Sequence, residues 1–289
     1  MSPVPLRICC REITTADFNG VVNLLRSGFP ARARSFWIRA LNRLSEHATP
    51  AGLPKYGYLL EVNGALIGVL LLISATIDIN GDAKFRSNVS SWFVEPEYRS
   101  YAALLASRAL RHKHVTYFNI TPHQRTLPIL EAQGFIQYCR GRFLTFPSLF
   151  RAERGSRIKV VSPSAWLDED LPSFESNLLL NHAGYGSISV ICSSNGRSHP
   201  FVFLPLRKAG VLPYAYLAYC RQLEEFARFA GSLGRFLAWY GFPLVVLDSN
   251  GPIKELIGGY FDDAPKYFKG PDQPRLGDMA YSERVMFGF

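Results

Sequence analysis

Apolar residues in the first half of the chain recur with the periods of helices and strands. A 3.6-residue spacing predicts a helix over Arg34–Glu46, with one buried face formed by Phe36, Trp37, Ala40, Leu41 and Leu44. Two apolar runs, Tyr58–Val62 and Ala65–Ser74, flank Asn63-Gly64, a dipeptide typical of the tight turn between antiparallel strands. The chain is therefore expected to open with helices and a β-hairpin.

Strands and helices alternate from there to residue 146. A strand over Ser87–Val94 precedes a helix over Ala102–His112 and a strand over Val115–Ile120. A helix near Thr126–Gln133 ends at Gly134, a residue type favoured just after the last helical turn. The remaining predicted elements are a strand over Leu6–Ile13, a helix from Thr15, and strands over Phe135–Tyr138 and Arg142–Phe146.

The second half repeats this order in weaker form. Strands Ser187–Cys192 and Phe201–Leu206 again flank an Asn-Gly pair, followed by a helix over Leu223–Tyr240 and a strand over Leu244–Asp248. Pro128-Ile129-x-Glu131-x-x-Gly134 recurs as Pro252-Ile253-x-Glu255-x-x-Gly258, which is the strongest match between the two halves. We interpret the chain as two copies of one α/β unit, residues 1–150 and 151–289, joined by a polar linker near Phe146–Pro163.

Composition narrows the class of protein. With 48% hydrophobic and 19% charged residues, the chain has material for a large core, which excludes disorder. The longest apolar run, Ala65–Ile77, is shorter than the ~20 residues that span a bilayer. No export signal is visible at Met1–Cys10, so a cytoplasmic location is expected. The five cysteines form no CxxC pair, and His112 and His114 lack a third ligand, so no metal site is expected.

The two halves of the chain differ in net charge. Residues 1–150 carry 17 Lys and Arg against 9 Asp and Glu, whereas residues 151–289 carry 15 against 14. The first half is therefore the one expected to bind an anion.

A candidate anion site lies where the strand ending at Val94 gives way to the helix from Ala102. The unpaired N–H groups and positive dipole end of a helix bind phosphate, and small residues such as Ala102 and Ala103 let it approach the backbone. An ordinary strand-to-helix turn is the alternative.

These residues resemble the fingerprint of the GCN5-related N-acetyltransferase superfamily, Val-x-Pro-x-Tyr-Arg followed by a small-residue loop and an apolar helix. Val94, Pro96, Tyr98 and Arg99 match in place, and Gly134-Phe135 matches the usual closing pair. The resemblance covers residues 6–146 and extends weakly to the second half. It implies two tandem acyl-CoA N-acyltransferase-like domains, each an α/β (α+β) unit with a mixed, mostly antiparallel sheet flanked by helices.

The resemblance also implies acetyl-CoA or another acyl-CoA as acyl donor, with its pyrophosphate on the loop after Arg99. The residues so implicated in cofactor binding are Phe93, Val94, Arg99, Ser100, Tyr101, Ala102, Ala103, Leu104 and Asn119. Two departures stand out, because Ala102 replaces the family's first glycine and Leu104 its second small residue.

The implied reaction is direct attack of an amine or hydroxyl on the thioester, with a backbone N–H near Val94 polarising the carbonyl. Ser90, Ser91 and Trp92 occupy the strand where the family often has a catalytic Glu, and Leu130 stands where it often has a Tyr. Glu61, Tyr101 and Tyr117 are the weak substitutes that the sequence offers as catalytic residues.

The second half is expected to bind no cofactor, because Glu224 and Glu225 open its long helix and would repel a phosphate. It would instead shape the acceptor site, with Lys266–Pro271 as an edge strand and turn near it, or mimic a partner subunit. Expected partners are a small-molecule or peptide acceptor, with nucleic acid and membrane disfavoured, in a pseudo-dimeric monomer or a homodimer. Two alternatives remain: a non-catalytic acyl-CoA-binding or partner-binding protein, and an aminoacyl-tRNA-dependent transferase.

Overall fold

The computed structural model describes residues 7–79, 81–165, 170–207 and 212–288, without the side chain of Arg125. Leu6, at the start of the first predicted strand, lies outside the described residues. The chain forms two compact units. The first contains Met1–Ile136, Tyr267–Gln273 and Tyr281–Phe289, and the second contains Gln137–Lys266 and Pro274–Ala280.

Strands and helices of the first half have bounds close to those predicted. They are β1 (Ile8–Glu12), α1 (Phe18–Gly28), α2 (Arg34–Glu46), β2 (Gly57–Val62), β3 (Ala65–Ile79), β4 (Asp82–Val94), α3 (Ala102–Ala109), β5 (Val115–Asn119), α4 (Leu127–Ala132), β6 (Ile136–Cys139) and β7 (Gly141–Thr145). The predicted helix over Arg34–Glu46 and the hairpin around Asn63-Gly64 are confirmed.

The second half continues the mixture of strands and helices. Its elements are β8 (Arg157–Val161), α5 (Ser173–Gly184), β9 (Ile188–Ser194), β10 (Arg197–Leu206), β11 (Tyr214–Tyr219), α6 (Leu223–Trp239), β12 (Leu244–Ser249), β13 (Gly258–Phe261), β14 (Lys266–Lys269) and α7 (Glu283–Phe287).

The described strands form two seven-stranded sheets. Their orders are β1-β2-β3-β4-β5-β14-β6 and β13-β7-β12-β11-β10-β9-β8. Most neighbours are antiparallel, whereas β4 pairs with β5 and β11 with β12 in parallel. The expected fold class, two mixed and mostly antiparallel sheets flanked by helices, is confirmed.

Each unit has its own apolar core. In the first unit, α2 buries all five residues of its predicted stripe, and Trp37 is fully buried. In the second unit, α6 packs Phe226, Phe229 and Leu233 against strands β9 to β12. A helix that buries one apolar face on a sheet removes that face from water, which is the main stabilising contribution of such layers.

The repeated Pro-Ile-x-Glu-x-x-Gly pattern has different structures in the two halves. Its first copy forms α4, whereas residues 252–257 form a loop with a turn at Lys254-Glu255, and Gly258 begins β13, which pairs with β7. A Cβ at Gly258 would lie 2.0 Å from the Leu144 carbonyl oxygen, so the strand contact requires glycine there. Pairing with β7 thus overrides the helical spacing that this segment shares with α4.

The C-terminal segment returns to the first unit. Its strand β14 lies between β5 and β6 rather than at the sheet edge, and Tyr267 pairs with Asn119. Conversely, β7 pairs with β12 and β13 in the second unit, although it precedes residue 150. The compact units therefore differ from the expected division into 1–150 and 151–289, because strand pairing satisfies backbone groups across large sequence distances.

Candidate functional site

Strands β4 and β5 diverge in the first unit. Their parallel pairing runs from Phe85 opposite Val115 to Asn88 opposite Phe118 and then ends, although β4 continues to Val94. Within the described pairings, the later residues of β4 have no partner on β5. Backbone groups directed to that side are therefore available to an extended ligand.

A bulge marks β4 beside the point of divergence. Val69 pairs with Phe93 and Leu71 with Ser90, so β4 carries an extra residue relative to β3. Ser91 there has a positive φ of 46°, a left-handed conformation that costs a non-glycine residue free energy. Bulges and such strain concentrate next to functional sites, where they redirect backbone groups.

A cleft of about 430 Å³ opens beside the end of β4. Four of the predicted cofactor-binding residues line it: Phe93, Val94, Arg99 and Ala102. The opposite walls come from the end of α1 and from α4. Their lining residues include Gly28, Phe29 and Ile129.

A smaller chamber of about 100 Å³ adjoins this cleft. Asn119, another predicted cofactor-binding residue, lines it with Ser90, Ser91 and Thr121. The two spaces share Phe29, Trp92, His123 and Thr126 as lining residues. Together they form one continuous candidate site between β4 and β5, entirely within the first unit.

The start of α3 differs from the open helix end that the sequence suggested. Pro96–Tyr101 form a 3₁₀ helix that leads directly into α3, and the Ala102 N–H donates to the Arg99 carbonyl. Fewer unpaired N–H groups are therefore free for a phosphate. The Arg99 charge and the small Ala102 side chain remain at the cleft.

The other four predicted cofactor-binding residues of the 3₁₀ helix and α3 do not face the candidate site. Ser100, Ala103 and Leu104 are exposed, Tyr101 packs partly against the core, and none of the four lines the cleft or the chamber. A helix directs successive side chains about 100° apart, so only part of the motif can face one cleft.

None of the three weak catalytic candidates lines the site. Glu61 is bound by Arg11, whose Nε donates to it over 2.8 Å. Tyr117 is buried in the core, where burial raises its pKa to about 12, and its hydroxyl accepts the His112 N–H over 3.3 Å. Tyr101 is half-buried against the same core.

Sequence reasoning missed Glu283, the acidic residue of the chamber. Its carboxylate accepts a hydrogen bond from the Thr121 hydroxyl, and its N–H donates to Asn88 Oδ1 over 2.7 Å. Burial raises the pKa of this carboxyl, while hydrogen bonds from Ser90 and Thr121 act in the opposite direction. No local signal marks Glu283, because nearly 200 residues of chain separate it from β4.

The corresponding helix of the second unit is acidic at its start. Glu225 accepts a hydrogen bond from His199 Nδ1 over 3.1 Å, and Glu224 is exposed. A separate groove of about 390 Å³ in this unit is lined by Leu144, Val246 and Phe261, with Arg142 and Asp263 forming an ion pair at its edge.

The described residues contain no cluster of three His, Cys, Asp or Glu side chains able to hold a metal ion. No described helix is both long and apolar enough to cross a membrane. All five cysteines are free thiols, and Cys139, Cys192 and Cys220 are buried.

Comparisons with known proteins bear on the fold. No protein-family profile and no curated protein sequence matches the chain. A GCN5-related N-acetyltransferase from Anabaena variabilis is 10% identical over 91% of this chain and 72% of its own, with a TM-score of 0.60. A probable N-acyltransferase from Enterococcus faecalis is 12% identical over 96% and 74%, with a TM-score of 0.58. A putative acetyltransferase from Pyrococcus horikoshii is 12% identical over 95% and 93%, with a TM-score of 0.56.

Proposed function

We propose that this chain, which has the fold of the GCN5-related N-acetyltransferases, transfers an acyl group from acyl-CoA to an amine or hydroxyl of a small molecule or peptide. The observation that carries the proposal is the divergence of β4 and β5 after Asn88 and Phe118. Five residues that the sequence implicated in cofactor binding line the resulting space: Phe93, Val94, Arg99, Ala102 and Asn119. Sequence motif and strand geometry thus point to the same site.

The residues of this site suit an elongated, anionic thioester. Backbone groups of β4 that lack a β5 partner would pair with its extended amide arm, as an added strand does. Arg99 would bind its phosphates, since a guanidinium donates to phosphate oxygens with good geometry. The bound thioester supplies the activated acyl group, and the protein holds it beside the acceptor, which converts a bimolecular reaction into an effectively unimolecular one.

One observation favours a second function, binding of acyl-CoA or a partner without catalysis. The Ala102 N–H is already bonded to the Arg99 carbonyl, and the loop lacks the glycines of the fingerprint. A phosphate would then rest mainly on the Arg99 side chain. Binding without transfer would be the outcome that supports this alternative.

Calorimetric titration with acetyl-CoA tests the proposal. Wild-type protein should bind one equivalent, and R99A should weaken binding by about tenfold or more, because a hydrogen bond to a charged group contributes ~1.5–3 kcal/mol. A102E should weaken it further, since it adds bulk and negative charge at the cleft wall. Arg108, exposed on the same helix and outside the cleft, provides the matched control R108A.

Three results would separate the possibilities. Equal loss in R99A and R108A would mean that only general charge attracts the ligand. Binding that R99A and A102E both leave unchanged would move the site away from this cleft. No binding at millimolar acetyl-CoA would overturn the proposed function.

A further inference from the structure

Glu283 is the one carboxylate among the described residues that line the cleft and the chamber. It is 2% exposed. A buried carboxylate loses the hydration of its charge, so an amide or an apolar residue would serve a structural role at lower cost. Its presence in the chamber therefore calls for a chemical explanation.

The carboxylate is held in place by hydroxyl groups and by the backbone. Thr121 donates to it, Ser90 hydrogen-bonds it, and Asn88 accepts its N–H. Asn88 is itself fixed by a 3.1 Å hydrogen bond from its amide to the Phe118 carbonyl. Within the described residues, no Lys or Arg forms a salt bridge with Glu283.

The short helix α7 is anchored on its other side. Arg43 of α2 donates to the Met286 carbonyl over 2.7 Å, and Val285 and Met286 are buried. Glu283 therefore cannot leave the chamber without disrupting packing between α2 and α7. A group fixed in this way is preorganised for chemistry.

We propose that Glu283 is the general base of the acyl transfer, a role that rests on the proposed function. Its carboxylate takes one proton from the ammonium group of the acceptor. The freed nitrogen forms a bond to the acyl carbon as the carbon–sulfur bond breaks, and the sulfur leaves with the electron pair and gains the second nitrogen proton. Glu283 then returns its proton to solvent, so the protein ends unchanged.

Arg284 follows Glu283 on α7, and its positive charge favours the ionised carboxylate. Arg43 of α2 binds the Met286 carbonyl of the same helix, and His123 lines the chamber. Burial outweighs the charge of Arg284 and the hydrogen bonds from Ser90 and Thr121, and it raises the pKa of Glu283 above its ordinary value. A base with a raised pKa is better matched to proton removal near neutral pH.

A titration of the protein alone gives the first test. Carboxyl carbon signals of ¹³C-glutamate-labelled protein should include one that titrates above the ordinary Glu range, and E283Q should lack it. T121V should move this titration to higher pH, because the lost hydrogen bond stabilised the charged form. Ordinary titration of every glutamate would overturn the proposal.

Two nucleophiles test the role in catalysis, using acetyl-CoA and a thiol reagent to follow release. At neutral pH n-butylamine is protonated and needs a base, whereas hydroxylamine is largely unprotonated and does not. E283Q should lose about 100-fold or more in transfer to n-butylamine and far less in transfer to hydroxylamine. The exposed Glu131 provides the control E131Q, which should behave as wild type.

Failure of the proposed function and failure of the role of Glu283 give different results. If wild type does not bind acetyl-CoA, the proposed function fails and this inference with it. If wild type binds acetyl-CoA but transfers to neither nucleophile, the non-catalytic alternative is supported and Glu283 has no role as a base. If wild type transfers to both and E283Q does so with unchanged rates and pH dependence, the acyl transfer stands and Glu283 is not its base. T121V, which keeps the carboxylate, should shift the rising limb of the pH–rate profile upward even if E283Q does not fold.

Discussion

The second unit contains an ion pair whose two side chains are almost fully buried. Lys266 and Asp248, each with a side chain 1% exposed, form an ion pair, and the Tyr216 hydroxyl donates to Asp248. Lys266 also lies 3.2 Å from that hydroxyl. Such a buried pair contributes little over an apolar equivalent, but removal of one partner leaves an uncompensated charge.

We therefore expect D248A to lower the free energy of unfolding by about 3–5 kcal/mol. The exposed pair of Arg142 and Asp263 gives the control D263A, which should cost less than about 1 kcal/mol because water screens it. Urea denaturation monitored by tryptophan fluorescence measures both. Equal costs for the two variants would contradict the buried ion pair.

At the scale of elements, packing outweighs the low helix propensity of glycine in α6. Gly231 and Gly234 lie within α6, where glycine is normally unfavourable. A Cβ at Gly234 would lie 2.2 Å from the Ser148 backbone nitrogen, and one at Gly231 would lie 2.3 Å from the Arg151 carbonyl oxygen. These glycines let the segment around Pro147–Leu149 pack directly against the helix.

Two Gly-to-Ala substitutions on helices of this unit should therefore change the stability of the protein in opposite directions. In α6, G234A should destabilise the protein, because backbone atoms cannot yield to the new methyl group. In α5, G184A should be neutral or stabilising, since no atom lies within 4 Å of the added Cβ and alanine is favoured by up to ~1 kcal/mol. The thermal unfolding midpoint of each variant, compared with that of wild type, measures these effects. Stabilisation by G234A would be inconsistent with this packing.

The complete chain is needed to build the first unit. Residues Tyr267–Gln273 and Tyr281–Phe289 belong to it, although the second unit comes between them and Ile136 in sequence. They supply β14 beside β5 and the helix that carries Glu283. Cooperative folding of this unit thus depends on both ends of the chain.

A fragment of residues 1–150 should not unfold cooperatively. Without β14, the backbone groups of β5 that pair with Tyr267, Phe268 and Lys269 would lose their partners, and an open strand edge favours aggregation. Circular dichroism during heating, compared with the full-length protein, provides the measurement. A fragment with a sharp transition at the full-length midpoint would show that the C-terminal segment is dispensable for folding.

The candidate site was predictable where its residues are neighbours in sequence. Val94, Arg99 and Ala102 fall within one short motif, and all three line the cleft. Tyr101 and Leu104 belong to the same motif but face elsewhere, because the 3₁₀ helix before α3 fixes their directions. Glu61, a weak catalytic candidate, forms an ion pair with Arg11 and lines neither the cleft nor the chamber.

The fold class was expected from the family resemblance, whereas local patterning was sufficient for the hairpin around Asn63-Gly64 and for helix α2. The hairpin and the helix each depend on periodicity or turn chemistry within a few residues, which the order of amino acids specifies directly. The pairing of β14 with β5, the strand at Gly258 and the position of Glu283 beside Asn88 arise from contacts between distant segments. Such contacts form where strand edges lack a partner and cavities lack side chains once the rest of the chain has folded. Distant segments compete for these places, and no local sequence pattern specifies which segment wins.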